Sequence, residues 1–442
     1  MNGPRGAGRG LDDGTSLDAK AAFVDESARG KTRPRWFTHQ RLALYSGVLL
    51  ICQAGTLGVL AIFWLYLHNI PPFGWDFRVF WSTSFLSIHD SAIAAFDPRL
   101  LRAIEMSIGP NMPMKFAPWV YPPSFQLFVY PLALLPYTAS YLLFMAFGTV
   151  LCIGACRFEM KSRPLPWVTV LAFPALWINA LAGQNSFLTM ALAAGAFGLV
   201  RCRPVLAGFC AGLLVIKPQL AILLPLCFLC GRHFKAFAAM AVTAAVLCLL
   251  SAMVFGVPLW LKFFGALAAQ GNAMLLNNAN DIWRAMPTLY ATARRLGAGS
   301  GLAYGLDALV ALPAMAVTAL LWFRRADRAL CAAAGVVTTM LMQPYLLYYD
   351  LTWLLLAIIY LCEYGSRSGA TKSVANAAYG TAAVMWFLPL GYFMAVFNAP
   401  VFWPFAVCLL AALPISFAFF LLRVFRNGID GRSDARGSAG NV

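Results

Sequence analysis

Three charged side chains stand out in this sequence because each lies in or beside a long apolar run. Asp76 is surrounded by aromatic residues, Lys217 precedes a proline inside apolar sequence, and Asp350 stands at the start of an apolar segment. Ionisable groups at membrane depth are energetically costly and are functional candidates by default. A carboxylate could move a proton there, and a lysine could bind an anion.

Asp76 occurs in the sequence Trp75-Asp76-Phe77-Arg78. A carboxylate among aromatic side chains is partly removed from water, which raises its pKa and suits a general base. Alternatively, Asp76 caps a helix over Phe77–Ser87 by accepting backbone hydrogen bonds. Arg78 is a weaker candidate for binding an anionic group near the same site.

Lys217 lies in the sequence Ile216-Lys217-Pro218, where the proline breaks any helix. Its natural partner is an anion, and a lipid phosphate at the membrane interface would serve. The alternative is that the amine reaches the nearest lipid headgroups along its flexible stem. The adjacent proline favours the functional interpretation.

Polar residues lie between apolar runs at two further points in the sequence. Tyr121 opens a Tyr-Pro-Pro sequence and either faces a cavity or lies at the membrane interface. Gln184 and Asn185 follow Gly183 between two apolar segments. Their amides could bind sugar hydroxyls, or Asn185 could cap the following helix.

Asp350 follows Tyr349 at the end of a Pro-Tyr…Tyr-Asp sequence. Its carboxylate could bind a hydroxyl group or a cation. It could equally cap a helix over Leu351–Cys362. Both interpretations remain open at this point.

The composition sets the class of protein that must position these residues. The 442 residues are 61% hydrophobic and only 11% charged, whereas soluble domains are about 45–50% apolar and about 25% charged. The apolar runs are long and continuous, which is typical of membrane helices and unlike the short alternating segments of a β-barrel. The sequence therefore predicts an all-α integral membrane protein.

Charge predicts the topology. The formal net charge is +16, and basic clusters recur between apolar runs, as in cytoplasmic loops. We predict a membrane domain over residues 37–424 with about twelve helices, and disordered cytoplasmic tails over residues 1–36 and 425–442. This arrangement places both termini in the cytoplasm and the polar candidates together on the outer side. A surface-lying amphipathic helix is predicted in the first outer loop, beginning at Asp97-Pro98.

Several functions are excluded by missing motifs. The sequence contains no Asp-x-Asp pair, no P-loop and no Gly-x-Gly-x-x-Gly, so neither a metal-bound nucleotide sugar nor another nucleotide is indicated. The 11 cysteines lie in or at the ends of apolar runs and are expected to be buried hydrophobic residues. We predict no metal, no cofactor and no nucleic-acid partner.

Five motifs taken together resemble family 87 of the glycosyltransferases. They are Asp76-Phe77 in an aromatic outer loop, Tyr121-Pro122-Pro123, Gly183-Gln184-Asn185, Ile216-Lys217-Pro218 and the late sequence that ends in Tyr349-Asp350. The resemblance covers roughly residues 75–351. Two departures occur. Several members carry a histidine in the late motif, where this chain has Tyr348-Tyr349-Asp350. Several carry Asn-Gln-Ser before the later helix, where this chain reads Arg284-Ala285-Met286-Pro287-Thr288.

The resemblance implies a GT-C fold with Asp76 as general base. It implies a polyprenol-phosphate sugar as donor, with mannose as the expected sugar, a lipid or glycan acceptor, and inversion at the anomeric carbon. The region of Lys217 would lie near the donor phosphate. Such an enzyme would work at the periplasmic face of a bacterial inner membrane, among membrane lipids.

Two other functions remain open at this point. A transporter or flippase of lipid-linked sugars would also need polar groups at membrane depth, although such proteins often contain inverted repeats and none is evident here. A subunit without catalytic activity is the third possibility. A test of Asp76 discriminates among the three.

Overall fold

A computed structural model describes residues 37–67, 73–108, 116–162, 164–276, 280–367, 370–391 and 403–427. Within these ranges the protein is helical and contains no strand. The predicted tail over residues 1–36 and residues 428–442 of the second tail lie outside the described residues. The all-helical class predicted from the composition is therefore confirmed.

Five described helices are long and apolar enough to cross a membrane. They comprise the segments His39–Val59, Tyr137–Glu159, Phe234–Phe255, Ser300–Phe323 and Ala406–Arg426. Shorter apolar helices lie between them, including Ser186–Leu199 and Arg328–Leu341. The structure is that of a membrane protein, and the count of twelve spans stays a prediction.

The α-helices are numbered α1 to α20 in chain order. They are α1 (His39–Leu67), α2 (Phe77–His89), α3 (Pro98–Ile108), α4 (Pro123–Val129), α5 (Tyr137–Glu159), α6 (Trp167–Leu171), α7 (Pro174–Ala182), α8 (Ser186–Leu199), α9 (Pro204–Leu213), α10 (Pro218–Ala221), α11 (Leu224–Cys230), α12 (Phe234–Phe255), α13 (Val257–Leu276), α14 (Asn280–Arg284), α15 (Leu289–Arg295), α16 (Ser300–Phe323), α17 (Arg328–Leu341), α18 (Leu354–Gly365), α19 (Lys372–Phe387) and α20 (Trp403–Arg426). Short 3-10 helices cover Ala92–Phe96, Tyr130–Leu134, Leu214–Ile216, Tyr348–Trp353 and Leu388–Leu390.

Prolines break the apolar sequence where the site is built. α5 begins only after Pro136, and a 3-10 turn separates it from α4. The stretch from Pro204 to Cys230 forms three short helices and a 3-10 turn, with Lys217 at the break before α10. Proline lacks the backbone N–H and clashes with the preceding turn, so it ends or kinks a helix there. These breaks bring backbone and polar side chains into the interior.

The centre of the protein is formed by α17 and α18, which pack against each other. From Leu354 to Cys362 every residue of α18 is buried, and α17 is buried from Ala329 to Met340. A helix that is apolar on all sides belongs in the core, because it has no face suited to water. α8 and α19 pack around this pair.

The amphipathic helix predicted at Asp97-Pro98 is present. α3 begins at Pro98, and Asp97 Oδ1 accepts a hydrogen bond of 2.8 Å from the backbone N–H of Arg99. Its inner face presents Leu101 and Glu105, both buried, towards α2. The predicted helix beginning at Phe77 is also confirmed, and α2 extends to His89.

Asparagines such as Asn272 and Asn280 give the segment Gly256–Gly301 a polar character, and the sequence alone suggests an outer loop there. In the residues that the structure describes, this segment is largely helical. α13 covers twenty of its residues, followed by α14 and α15. Leu259 and Phe263, four residues apart, are buried on one side of α13. The asparagines at the far end of the segment obscured this apolar spacing in the sequence.

Two glycines allow the start of α2 to lie against the end of α7. Gly74 and Gly183 have φ values of +87° and +75°, a backbone region that glycine adopts readily. The backbone N–H of Gly74 donates to Leu181 O at 2.7 Å, and that of Asp76 donates to Ala182 O at 2.9 Å. A Cβ on Gly183 would lie 2.6 Å from Phe77 Cβ. No side chain fits between the two segments.

The substitution Gly183→Ala should therefore destabilise the protein by about 1–3 kcal/mol and reduce its activity, because it combines a left-handed residue with a clash. Unfolding of the purified protein in mixed micelles would measure this. Gly305→Ala in α16 is the matched control, since a Cβ there meets nothing within 4 Å. An equal effect of both substitutions would contradict the close approach.

Candidate active site

Asp76 occupies the position before the first residue of α2 but does not cap the helix with its side chain. Its carboxylate instead accepts a hydrogen bond of 3.2 Å from Gln184 Nε2. The capping alternative considered from the sequence is therefore wrong for Asp76. The carboxylate is directed to a partner 108 residues away.

Gln184 connects three parts of the site. While its amide nitrogen donates to Asp76, its Oε1 accepts from the hydroxyl of Tyr121 at 3.1 Å and from the backbone N–H of Asn185 at 3.3 Å. These contacts fix the orientation of the amide, because only its nitrogen can donate and only its oxygen can accept. Gln184 thereby holds the Asp76 carboxylate in one place.

Lys217 and Asp350 form a buried ion pair beside this group. Lys217 Nζ lies 2.5 Å from Asp350 Oδ1, and both side chains are about 95% buried. Ser186 Oγ donates to the same carboxylate oxygen at 3.0 Å, and Lys217 Nζ lies 5.1 Å from the centre of the Tyr349 ring. Asp350 therefore does not cap α18, which begins at Leu354, and its side chain is not exposed to water.

The structure thus brings together most of the residues proposed from the sequence. Hydrogen bonds join Asp76, Gln184 and Tyr121, and the Lys217–Asp350 pair adjoins them through Ser186 and the turn after Gly183. We call these residues the polar cluster, defined by Asp76, Tyr121, Gln184, Ser186, Lys217, Tyr349 and Asp350.

Burial controls the electrostatics of Asp76. Loss of water raises the pKa of its carboxyl to about 6. The Gln184 hydrogen bond and the charges of Lys217 and Arg78 act in the opposite direction, and the charge of Asp350 adds to the rise. Burial, together with the carboxylates of Asp350 and Asp76, raises the pKa of Tyr121 well above its usual value. Near neutral pH, Asp76 is a carboxylate able to accept a proton, and Tyr121 stays a neutral donor.

Arg78 lies deeper than expected for a ligand of a lipid phosphate. Its guanidinium Nη2 is 3.4 Å from Glu105 Oε2, and both side chains are 1% exposed. Burial raises the pKa of Glu105 to about 7, with Arg78 opposing the rise. Arg78 acts on Asp76 through its charge and ties α2 to α3. Glu105 was not a candidate from the sequence, and only its position on the apolar face of an amphipathic helix could have indicated it.

The Asn185 side chain lies beside the polar cluster but makes no hydrogen bond to it among the described residues. It precedes α8 without capping that helix through its side chain, and Asn179 Oδ1 accepts the backbone N–H of Ser186 at 3.1 Å instead. Both polar atoms of the Asn185 amide are buried without a hydrogen-bond partner among the described residues. Buried polar atoms in this state need an explanation, and a bound ligand is one.

Three residues of the site were not proposed from the sequence. Ser186 binds Asp350, Asn179 caps α8, and burial raises the pKa of the nearby Tyr345 to about 12, with contributions from Asp76 and Asp350. Each belongs to a type with common structural roles. Only their positions next to Gln184 or inside the Pro-Tyr…Tyr-Asp sequence could have indicated them.

The fold and the polar cluster define a helical membrane protein with a buried carboxylate that a glutamine side chain holds in place. The model of Glycosyltransferase family 87 matches residues 119–344, just over half of the chain. The chain belongs to this family and is a membrane glycosyltransferase. Tyr121, Gln184 and Lys217 lie inside the matched region, and Asp76 and Asp350 flank it. No curated protein and no solved structure matches the chain.

The pKa of Asp76 makes a prediction for pH dependence. If this carboxylate must be deprotonated to act, activity should fall on acidification with a midpoint near pH 6, not near the usual value of about 4. Gln184→Leu removes a hydrogen bond that favours the charged form, so the midpoint should move to higher pH. Initial transfer rates between pH 4.5 and 8.5 would measure both. A wild-type midpoint near 4, or a downward shift in the variant, would contradict the assignment.

Proposed function

We propose that this glycosyltransferase transfers a hexose, with mannose as the expected sugar, from a polyprenol-phosphate sugar to a hydroxyl of a lipid or glycan acceptor. Asp76 acts as the general base. The observation that supports this proposal best is the buried Asp76 carboxylate, fixed by Gln184 beside the Lys217–Asp350 pair. A base of this kind is needed because an acceptor hydroxyl is a weak nucleophile.

The reaction then proceeds as a single displacement. The acceptor oxygen attacks the anomeric carbon from the face opposite the phosphate, and its proton passes to an Asp76 carboxylate oxygen. The bond between the anomeric carbon and the phosphate oxygen breaks, and polyprenyl phosphate leaves with the electron pair. Attack from the opposite face inverts the anomeric configuration.

The other members of the polar cluster prepare this step. Tyr121 and Gln184 hold Asp76 in place, and Tyr349 lies against the Lys217 amine. Lys217 stabilises the charge that develops on the leaving phosphate, an effect that is larger in a buried site than in water. Its charge is shared with Asp350, which limits how much Lys217 can supply alone.

The proposed setting is a bacterial inner membrane, with both termini in the cytoplasm and the site on the periplasmic side. Basic clusters at alternate ends of the apolar segments support this orientation. A GT-C architecture with about twelve spans agrees with it. A lipid-linked donor suits an outer site because the donor is carried in the membrane itself.

Asp76→Asn tests the mechanism. The amide keeps the size of the side chain but cannot accept the proton, so transfer should fall at least about 100-fold. Purified enzyme with radiolabelled polyprenol-phosphate mannose and a cell-lipid acceptor extract would measure it. Asp90→Asn is the matched control, because Asp90 is exposed at the other end of α2.

Equal transfer by the wild type and Asp76→Asn would refute the role of Asp76. If neither protein transferred sugar but both moved lipid-linked sugar across liposomes, the transporter interpretation would replace the enzyme mechanism. Extraction and mass measurement of lipids from cells with and without the gene would identify the acceptor.

Asn185→Leu tests whether the unpartnered amide binds substrate. Replacing a buried polar group that lacks partners with an apolar one of similar shape should leave stability unchanged or raise it by about 1–3 kcal/mol. Transfer should nevertheless fall, because a sugar hydroxyl loses its partner. Thr83→Val is the control, since the Thr83 hydroxyl is also buried without a partner among the described residues. Unchanged transfer in Asn185→Leu would remove Asn185 from the substrate-binding residues.

A further inference from the structure

The polar cluster alone has too little positive charge to bind an anionic sugar donor well. Asp76 and Asp350 carry two negative charges at neutral pH, and Lys217 supplies one positive charge. Burial raises the pKa of Glu105 to about 7, so the neighbouring Arg78–Glu105 pair adds at most part of one positive charge at neutral pH. The Arg78 guanidinium is also buried against Glu105 and only 1% exposed. A sugar linked to a polyprenol through phosphate carries one negative charge, and a phosphate monoester product carries about 1.5–2. More positive charge is therefore needed as the donor bond breaks.

Positive charge is concentrated in the segment that adjoins the cluster. Between residues 280 and 295 the sequence contains Arg284, Arg294 and Arg295 and one acidic residue, Asp281. The segment therefore has a surplus of positive charge.

Backbone and side-chain hydrogen bonds attach this segment to the loop that carries Asp350. The N–H of Tyr348 donates to Ala285 O at 3.3 Å, and the Thr288 hydroxyl donates to Pro344 O at 3.1 Å. Thr288 also caps α15, which fixes the helix that ends in the two arginines. α15, which ends in Arg295, packs against α14, which ends in Arg284.

The segment presents hydrogen-bond donors that lack acceptors. Trp283 Nε1 and Arg284 Nε are buried, and neither has a hydrogen-bond partner among the described residues. Arg294 has a structural role, since its guanidinium lies 4.8 Å from the centre of the Trp283 ring and donates to Ala298 O at 3.0 Å. Burial and the charge of Arg284 lower the pKa of Arg295, as expected where two guanidinium groups lie close together. A bound anion would reduce the repulsion between the two guanidinium groups and would accept hydrogen bonds from the donors that lack partners.

We propose that Trp283, Arg284 and Arg295 form an anion site that binds the phosphate of the lipid-linked donor and of its prenyl phosphate product. Guanidinium groups suit this role because they stay charged and offer paired donors to phosphate oxygens. This inference rests on the proposed function, since it takes the donor to be a prenyl phosphate sugar. It assigns Lys217 a supporting role next to the sugar and gives the main phosphate contact to the arginines.

Direct binding of citronellyl phosphate, a short prenyl phosphate, tests the site without catalysis. Isothermal titration of the detergent-purified protein should give a Kd about tenfold higher for Arg284→Gln and for Arg295→Gln than for wild type, and a larger loss for the double variant. Arg295→Lys should recover part of the affinity. Wild-type binding should weaken as salt rises, and uncharged citronellol should not show these differences.

Controls separate this proposal from general effects of charge and folding. Lys262→Gln removes an exposed cation from neighbouring α13 and should leave the Kd unchanged. Asp76→Asn should bind citronellyl phosphate at least as tightly as wild type, because it removes a negative charge without touching the arginines. Thermal unfolding of each variant identifies any that fail to fold. If the glutamine variants fail to fold, the Kd of the single Arg295→Lys variant is compared with that of the wild type instead.

Wild-type affinity in the double variant would overturn the anion site while leaving the proposed reaction intact. Loss of binding to phosphatidylglycerol vesicles with unchanged citronellyl phosphate affinity would also overturn it, since the arginines would then bind lipid headgroups. If the wild type itself bound no citronellyl phosphate, the proposed donor class would fail first. The titration therefore distinguishes failure of the site from failure of the function.

Discussion

Lys217 and Asp350 lie against each other in the interior, and neither charge could remain buried alone at acceptable cost. Removing one partner of such a pair typically costs about 3–5 kcal/mol, because the remaining charge stays uncompensated. The contact joins the helix break before α10 to the 3-10 helix Tyr348–Trp353, and Asp350 lies 133 residues after Lys217 in the chain. Ser186 adds the start of α8 to the same carboxylate. The pair therefore determines how three separate segments meet beside Asp76.

The position of Asp76 depends on a second constraint, the close contact between Gly74 and Gly183. Because no side chain separates these segments, the Asp76 backbone can bond to the end of α7 while its carboxylate reaches Gln184. The backbone hydrogen bond to α7 fixes the chain at Asp76, and the hydrogen bond from Gln184 fixes its side chain. Burial then raises the pKa of the carboxyl towards the range in which a general base is effective. Position and proton affinity thus arise from the same packing.

Scarcity of charge explains what the sequence could predict. Asp76, Lys217 and Asp350 could be singled out because ionisable residues are rare in apolar segments, and proline and glycine marked the breaks on which they lie. Their partners could not be predicted, since Gln184 and Asp350 meet Asp76 and Lys217 only through folding over more than 100 residues. Ser186 and Asn179 are too common in helix caps to attract attention. The helical nature of Gly256–Gly301 was missed because its polar residues outweighed the apolar spacing of α13.

The charge balance of the site links the ion pair to the choice of substrate. A neutral Lys217–Asp350 pair provides local dipoles and hydrogen bonds suited to sugar hydroxyls, but it offers little net attraction to phosphate. An enzyme that used only this pair would hold the sugar better than the leaving group. Separate cations near Tyr348 would divide the task, with carbohydrate contacts around Gln184 and phosphate contacts at the arginines. Under the proposed reaction, such a division would let binding of the lipid phosphate bring the anomeric carbon to Asp76. It would do so without a second positive charge beside Asp76, which would lower the pKa of the Asp76 carboxyl.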